Sequence, residues 1–211
     1  MKIQHLDDHL TIFESALYRT TTTLFSNEDL TLLVDPNWLP GEIAQIKTYV
    51  ESALRKSSNF YLLFTHSDYD HILAFRMFDE AKVIASKAFH DNPNKKQAVQ
   101  AILDFDDKNY IERPYPVVYP EVNEVISTEG QQLKIGNTTL TFYSANGHNP
   151  DGLFTIIESA GIWIAGDYLS NVEFPFIYHS STAYLKTIER MEMILNAHLI
   201  NRLVPGHGDS T

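Results

Sequence analysis

The most constraining feature of the sequence is a dense group of metal-ligand side chains that directly follows a short apolar segment. Residues 60–64 are apolar and predict a buried strand. Four ligand-type residues come next: His66, Asp68, Asp70 and His71. A loop that leaves a strand can turn alternate side chains toward one point. Nitrogen and oxygen ligands at this density suit Zn, Mn or Fe, so the segment predicts a metal site at a strand end.

Three further ligand-type residues follow predicted strands, each beside a glycine. They are His148 after strand 138–143, Asp167 after strand 163–165 and His207 after the strand at 203–205. The neighbouring glycines, Gly147, Gly166 and Gly206, let the backbone come close to other groups. Four such strand ends in one chain indicate a shared site rather than independent surface residues.

The composition restricts how a metal could be held. The chain has no cysteine, which excludes disulfides, zinc–thiolate sites, iron–sulfur clusters and a cysteine nucleophile. Any metal must therefore be held by His, Asp, Glu, amide or backbone groups. The formal net charge of −11 argues against a protein that binds nucleic acid or an anionic membrane through a basic face.

Strands and helices are expected in a mixed order along one domain at residues 1–211. The strands are predicted at 2–14, 17–25, 30–34, 60–64, 83–85, 133–135, 138–143, 153–158, 163–165 and 203–205. Gly136-Asn137 predicts a hairpin turn, and residues 107–122 predict a loop rich in proline. This order predicts an α/β protein with two central sheets and helices outside.

Three helices are predicted from apolar residues at helical spacing. The first covers about 41–56, and the second begins at Asn92-Pro93 with an apolar stripe that includes Val99, Ile102 and Leu103. The third begins after Ser181 as a capping residue. Its predicted buried stripe is Tyr184, Ile188, Met191 and Leu195.

Taken together, these motifs resemble the metallo-beta-lactamase superfamily. The family pattern is H-x-H-x-D-H, then Gly-His, then Gly-Asp, then a final His that often lies in Pro-Gly-His, and it is matched from His66 to His207. The segment Leu33-Val34-Asp35-Pro36 is similar to the early family strand that ends in Asp. The resemblance spans nearly the whole chain. It implies a four-layer αβ/βα sandwich with the site at one edge of the two sheets.

The resemblance also implies two divalent metal ions. By position, His66, Asp68 and His148 would hold the first. The second would be held by Asp70, His71 and His207, with Asp167 bridging the two. Two divalent cations carry +4 and the three aspartates −3, so one bridging hydroxide would bring the centre to neutrality.

One residue departs from the family pattern. Asp68 stands where the family has its second histidine. A carboxylate adds negative charge and is a harder ligand, which shifts the preference from Zn toward Fe or Mn. Flavodiiron proteins also carry a carboxylate at this place and bind iron. The metal is therefore expected to be Zn, or Fe or Mn as favoured by Asp68.

The function implied is hydrolysis of a small-molecule ester, lactone, thioester or phosphodiester by a metal-bridging hydroxide. Asp70 and Tyr168 are the predicted catalytic residues: Asp70 would orient the water and Tyr168 would supply a phenol donor, with outward packing of the Tyr168 ring as the alternative. The loop at residues 174–179 would either form one wall of the pocket or pack into the interior.

Two other function classes stay open. One is a di-iron redox centre of flavodiiron type that works with a separate electron donor, since the chain has no room for a flavodoxin domain. The other is an RNA-processing nuclease, against which the charge of −11 and the compact length count. Hydrolysis of β-lactam antibiotics is not expected.

The expected partner is a small-molecule substrate, with neither nucleic acid nor membrane. No signal-peptide pattern is present near residue 1, and no apolar run approaches the about 18 residues that span a bilayer, so a cytoplasmic location is expected. The sequence leaves the oligomeric state and the particular substrate open.

Overall fold

Seven strands form the first of two sheets in the computed structural model, which describes residues 1–36, 38–174 and 176–211. The strands lie side by side in chain order. They are β1 (Lys2–Leu6), β2 (Leu10–Glu14), β3 (Thr21–Ser26), β4 (Thr31–Val34), β5 (Phe60–Leu63), β6 (Lys82–Ser86) and β7 (Glu124–Ile126). Neighbours from β1 to β4 are antiparallel and neighbours from β4 to β7 are parallel.

The second sheet has five strands in the order β12-β11-β10-β9-β8. They are β8 (Gln131–Ile135), β9 (Thr138–Ser144), β10 (Leu153–Ile157), β11 (Ile162–Gly166) and β12 (Arg202–Pro205). Only β11 and β12 run parallel among these pairs. The predicted hairpin at Gly136-Asn137 joins β8 to β9.

Helices of very different length connect the strands. They are α1 (Pro40–Leu54), α2 (Tyr69–Ile72), α3 (Lys87–His90), α4 (Lys95–Lys108) and α5 (Ser181–Ala197), with a 3-10 turn at Phe75–Phe78. Within the described ranges, no helix has the length and apolarity needed to cross a membrane.

Three groups of buried side chains show how the layers stack. The middle group joins the two sheets face to face, with Leu32 and Leu63 of the first sheet packed with Phe142 and Ile164 of the second. A second group lies between the first sheet and the helices α1 and α4, and a third lies between the second sheet and α5. The order is helix, sheet, sheet, helix, so the predicted α/β four-layer sandwich is confirmed.

Several details differ from the sequence predictions. The segment 2–14 is two strands because Asp7 accepts hydrogen bonds from the backbone N–H groups of His9 and Leu10 and turns the chain between them. Strand β7 and the short helices α2 and α3 were not predicted. They contain too few residues to show a periodic pattern.

The buried face of α5 was predicted correctly at Tyr184 and Met191 and wrongly at Ile188 and Leu195. The side chains that face the sheet are Thr187, Met191 and Ile194, whereas Ile188 and Leu195 are 41% and 58% exposed. The Thr187 hydroxyl donates a hydrogen bond to the Asn146 carbonyl at 2.6 Å, which turns this polar residue inward. The helix is capped by Ser180, which accepts from the Ala183 N–H, and not by Ser181.

Candidate metal centre

Loops at the ends of both sheets bring the predicted ligands to one place. The segment from His66 to His71 follows β5 and includes α2. His148 follows β9, Asp167 comes directly after β11, and His207 lies two residues after β12. The seven side chains predicted as ligands are therefore assembled from both halves of the chain at one edge of the sandwich.

The first group of ligand atoms, called position one, comes from His66, Asp68 and His148. Oδ2 of Asp68 lies 3.6 Å from Nε2 of His66 and 3.1 Å from Nε2 of His148. Oδ2 of Asp167 completes the group, at 3.4 Å from Nε2 of His66 and 3.3 Å from Nε2 of His148. A tetrahedral ion with bonds of about 2.1 Å holds its ligand atoms about 3.4 Å apart, so these four atoms fit one.

The second group, called position two, comes from Asp70, His71 and His207. Oδ2 of Asp70 lies 3.7 Å from Nε2 of His71 and 3.2 Å from Nε2 of His207. Oδ1 of Asp167 lies 3.1 Å from Nε2 of His71 and 3.5 Å from Nε2 of His207. Asp167 thus directs one oxygen to each position, which is the geometry of a bridging carboxylate.

Several polar atoms of the centre are buried and form no hydrogen bond. Among the described residues these include Nε2 of His66, Nε2 of His71 and Oδ1 of Asp167. A buried polar atom without a hydrogen bond costs about 1–3 kcal/mol, so such atoms call for an explanation. The nitrogen and oxygen donors gathered here fit divalent metal ions.

The other ring nitrogen of each histidine faces an acceptor. Nδ1 of His148 lies 2.6 Å from the Phe176 carbonyl, and Nδ1 of His207 lies 2.9 Å from the Tyr18 carbonyl. Nδ1 of His66 lies 3.0 Å from the Thr65 hydroxyl. These contacts orient the rings so that every Nε2 points into the centre, the arrangement typical of metal-ligating histidines.

Asp35 supports the centre from behind. Its Oδ2 lies 3.0 Å from Nδ1 of His71 and accepts a hydrogen bond from the Thr65 hydroxyl at 2.5 Å. Its Oδ1 accepts from the Thr65 N–H at 2.9 Å. The backbone of Asp35 is left-handed, with φ of 44°, a conformation that Asp tolerates better than most residues. The residue at the end of β4 therefore holds both His71 and the start of the ligand loop.

Other atoms approach two of the glycines beside the ligands so closely that no side chain fits there. A Cβ atom at Gly206 would lie 2.2 Å from Oδ1 of Asp167. At Gly147, φ is 131° and a Cβ atom would lie 2.4 Å from the Cα of Tyr184 in α5. Side chains at these two places would displace the ligand loops, as the sequence pattern predicted.

The electrostatics of the centre favour opposite charges on its histidines and aspartates. Burial alone would lower the pKa of His148, but Asp167 and Asp68 outweigh it and raise the pKa to about 10. Burial is likewise outweighed by Asp167 at His66, whose pKa rises to about 9, and by Asp167 and Asp70 at His207, whose pKa rises to about 10. Despite burial, His71 and His66 hold the pKa of Asp167 well below its usual range. The pocket is thus built to hold positive charge.

Glu173 is a site residue that the sequence analysis missed. Its Oε1 lies 3.8 Å from Nε2 of His207, and its carboxylate groups with Asp167 and His207 within 4.8 Å. Burial and the charge of Asp167 raise the pKa of Glu173. No motif contains this residue. The only signal in the sequence is a carboxylate within the aromatic segment that follows Asp167.

Tyr168 lies beside the centre but does not face its open side. Its ring is buried, and its hydroxyl donates to the Asn146 carbonyl and accepts from the His148 N–H, both at 3.0 Å. The hydroxyl is therefore committed to the loop that carries His148. This placement corrects the expectation of a phenol donor to the substrate: Tyr168 is a positioning residue.

The loop at residues 174–179 lies over position one. Pro175 falls outside the described residues, so the structure describes only the other residues of this loop. The Tyr178 ring lies 5.4 Å from the His148 ring and is 67% exposed. Burial and then the charges of Asp68 and Glu173 raise the pKa of Tyr178, as expected for a hydroxyl close to these carboxylates. In the described part of the loop, Tyr178 therefore lies against His148 with its ring exposed and is not packed in the interior.

Comparison with known proteins agrees with this architecture. A structure of an archaeal metallo-beta-lactamase superfamily protein from Sulfolobus tokodaii has a TM-score of 0.67 and 17% identity, covering 98% of this chain and 82% of that one. ETHE1 from Myxococcus xanthus has a TM-score of 0.66 and 17% identity, covering 96% of this chain and 78% of its own. TTHA1623 in a di-iron-bound form has a TM-score of 0.66 and 17% identity, with coverages of 95% and 93%.

At these identities the structural matches show the fold alone, and no curated protein matches the sequence. The family model of the metallo-beta-lactamase superfamily matches residues 17–207, a stretch that contains all seven predicted ligands, from His66 to His207. The chain therefore belongs to the metallo-beta-lactamase superfamily.

Proposed function

We propose that this chain is a dinuclear metal-dependent hydrolase of small-molecule esters, lactones, thioesters or phosphodiesters. The observation that supports this most directly is the division of the two Asp167 oxygens between two sets of His and Asp atoms. Membership of the metallo-beta-lactamase superfamily supports the same chemistry, since this family contains many metal-dependent hydrolases.

In this proposal, each residue of the centre has a defined task. His66, Asp68 and His148 would hold one divalent ion, Asp70, His71 and His207 would hold the other, and Asp167 would contribute one oxygen to each set. Bound ions supply a water that is acidic enough to ionise near neutral pH and a Lewis acid for the substrate oxygen. Tyr168 keeps the His148 loop in place, and Asp35 keeps the His71 ring in place.

Asp70 stands where an orienting carboxylate is needed. Its Oδ2 is 3.2 Å from Nε2 of His207, so one oxygen belongs to position two. We propose that its other oxygen accepts a hydrogen bond from the attacking water and holds it in line with the scissile bond.

Access to the centre favours a small substrate without phosphate-backbone recognition. A groove of about 230 Å³ opens beside Asp68 and is lined by neutral polar side chains, among them Asn92, Gln97 and Asn149. Throughout the described residues, no Lys or Arg forms an ion pair with a carboxylate of the centre. Basic residues are what a nuclease would need here, and their scarcity counts against that alternative.

The proposal is tested by metal analysis together with a substrate panel. The protein is purified without added metal, loaded separately with Zn, Mn or Fe(II), and assayed on esters, lactones, thioesters and phosphodiesters. We expect about two ions per chain and hydrolysis that disappears with a chelator and returns with metal. Hydrolysis that survives complete metal removal would overturn the proposal.

Metal identity is tested at Asp68. In wild-type protein we expect Fe or Mn to compete well with Zn, because Asp68 is a hard ligand. Asp68→His should shift the preference toward Zn by about tenfold in competition experiments. An unchanged order of metal affinities would remove Asp68 as the reason for any iron or manganese preference.

A di-iron redox centre is the second candidate. It is favoured by the carboxylate at Asp68, and the structural neighbour TTHA1623 has been observed in a di-iron-bound form. Such a centre would need a separate electron donor. Turnover of oxygen or nitric oxide by the iron-loaded protein with a reducing partner, without hydrolysis of the panel, would favour this candidate.

A further inference from the structure

Glu173 brings a partly exposed carboxylate to position two without belonging to any ligand motif of the sequence. Its Oε1 is 3.8 Å from Nε2 of His207, and the side chain keeps 21% of its surface exposed. Across the described ranges, no Lys or Arg comes within 4.0 Å of this carboxylate. No Lys or Arg side chain therefore neutralises the negative charge of Glu173, and this charge can act on a bound substrate.

The position of Glu173 is built into the loop. Its backbone N–H donates to the Ser170 hydroxyl at 3.0 Å. The adjoining Asn171 side chain donates to Asp209 Oδ2 at 2.8 Å and accepts from the Asp209 N–H at 2.9 Å. Because Asp209 follows His207 closely in the chain, these bonds tie the start of the loop to the ligand that Glu173 faces.

Exposed aromatic rings lie beside position one. The Tyr178 ring contacts the His148 ring at 5.4 Å and stacks parallel to the Phe176 ring at 5.8 Å. Both loop rings are largely exposed. An exposed aromatic face next to a carboxylate is the chemistry that recognises ammonium groups.

The ligand atoms of the histidines are buried deeper than Glu173. Nε2 of His66 and Nε2 of His71 form no hydrogen bond in the described residues and have carboxylate oxygens at 3.1 to 3.7 Å. The side chains of Glu173, Asp68 and Tyr178 are more exposed than these histidines.

We propose that Glu173 is a specificity-determining residue that favours substrates carrying an ammonium-type cation next to the scissile bond over anionic ones. This inference rests on the proposed hydrolase function. Two divalent cations, the aspartates Asp68, Asp70 and Asp167 and one hydroxide would sum to +4 − 3 − 1 = 0. Glu173 adds one negative charge beside this neutral centre, so it would attract cationic substrates and repel anionic ones.

The test uses three esters that share one acyl group and differ only in the alcohol: a trimethylammonium alcohol, its uncharged tert-butyl isostere and a carboxylate analogue. Wild-type kcat/KM should be highest for the cationic ester and lowest for the anionic one. Glu173→Gln should lower the ratio of cationic to neutral kcat/KM by about tenfold and raise the anionic rate, since one charge is removed. The exposed Glu192→Gln on α5 is the matched control and should leave the ratio unchanged.

Two further measurements separate this inference from the proposed function. Calorimetric binding of the free trimethylammonium alcohol to metal-loaded protein should weaken about tenfold in Glu173→Gln, whether or not any ester is hydrolysed. Absence of all hydrolysis with intact, Glu173-dependent binding would overturn the hydrolase proposal and keep the charge selection. Equal charge ratios in wild type and Glu173→Gln, or loss of metal from Glu173→Gln, would overturn the inference and identify Glu173 as inert or as a ligand.

Discussion

The two halves of the metal centre differ in how firmly they are held. Position two is enclosed: His71 and His207 are almost fully buried, and Asp35 holds the His71 ring. Position one is more open, because the Asp68 side chain is 29% exposed. In addition, Nδ1 of His148 lies 2.6 Å from the carbonyl of Phe176, which belongs to an exposed loop. We therefore expect position two to hold its ion more firmly than position one, and we expect metal identity and substrate access to depend mainly on position one.

The largest effect is expected from removing the residue that both positions share. Asp167→Ala deletes one ligand atom from each position and leaves buried histidines facing one another. We expect loss of both metals and at least about a thousandfold loss of activity, as for removal of a central catalytic group. Elemental analysis checks it. If the folded variant kept both metals, Asp167 would not be shared by the two positions, and the comparison between them would lose its basis.

Acidity should weaken both positions together. The pKa values of His66, His148 and His207 are raised to about 9, 10 and 10 in the metal-free protein, so these rings hold protons at neutral pH that a metal must displace. Affinity should therefore fall as pH is lowered, by up to about 100-fold per pH unit with two histidines in each position. Calorimetry in buffers of different ionisation enthalpy would show the released protons. Affinity independent of pH between 6 and 8 would contradict the prediction.

A matched pair of variants should separate the two positions. Asp35→Asn tolerates the left-handed backbone but gives up an acceptor for His71, and should weaken position two by about 10- to 100-fold. Thr65→Val removes the hydroxyl beside Nδ1 of His66 and should weaken position one more. Stepwise metal titration measures both, with His207→Ala identifying the event that belongs to position two. If both variants lost metal affinity equally at both positions, the proposed difference between positions one and two would be contradicted.

The smallest effect is expected at Tyr168. Tyr168→Phe leaves the His148 N–H without its acceptor and removes one of the two hydroxyls that donate to the Asn146 carbonyl, which costs about 1–3 kcal/mol of stability. Position one should lose severalfold in metal affinity and position two should keep its affinity. Thermal unfolding and titration check this, with the fully exposed Tyr110→Phe as control. A loss of kcat with unchanged metal binding would instead restore the catalytic role first expected of Tyr168.

The strand-end ligands were predictable because local sequence carries their signal. An apolar run, a glycine and a ligand-type residue are adjacent in the chain at His148, Asp167 and His207, and the glycines are explained by close contacts such as that of Gly206 with Asp167. The fold followed from the same segments, since parallel and antiparallel strands with helices between them leave few arrangements.

What the sequence could not show depends on contacts between distant segments. No spacing pattern in the sequence identifies Glu173, which is brought to His207 by contacts such as the hydrogen bond between Asn171 and Asp209. The contact of Thr187 with Asn146 turns a polar residue of α5 inward, so counting apolar residues found Met191 but missed Thr187. Tyr168 was ambiguous because its hydroxyl partners lie on a loop twenty residues away in the chain.

One contact near the centre joins the two sheets directly. The Thr21 N–H donates to the Gly206 carbonyl at 2.7 Å, and Thr20 pairs with His207 across the same gap. His207, the last predicted ligand in the chain, is thus held beside β3, a strand near the beginning of the chain. Separation of the two sheets would disrupt both metal positions at once. Metal release and global unfolding should therefore be a single cooperative transition. Metal occupancy should then determine how well the folded chain resists proteolysis.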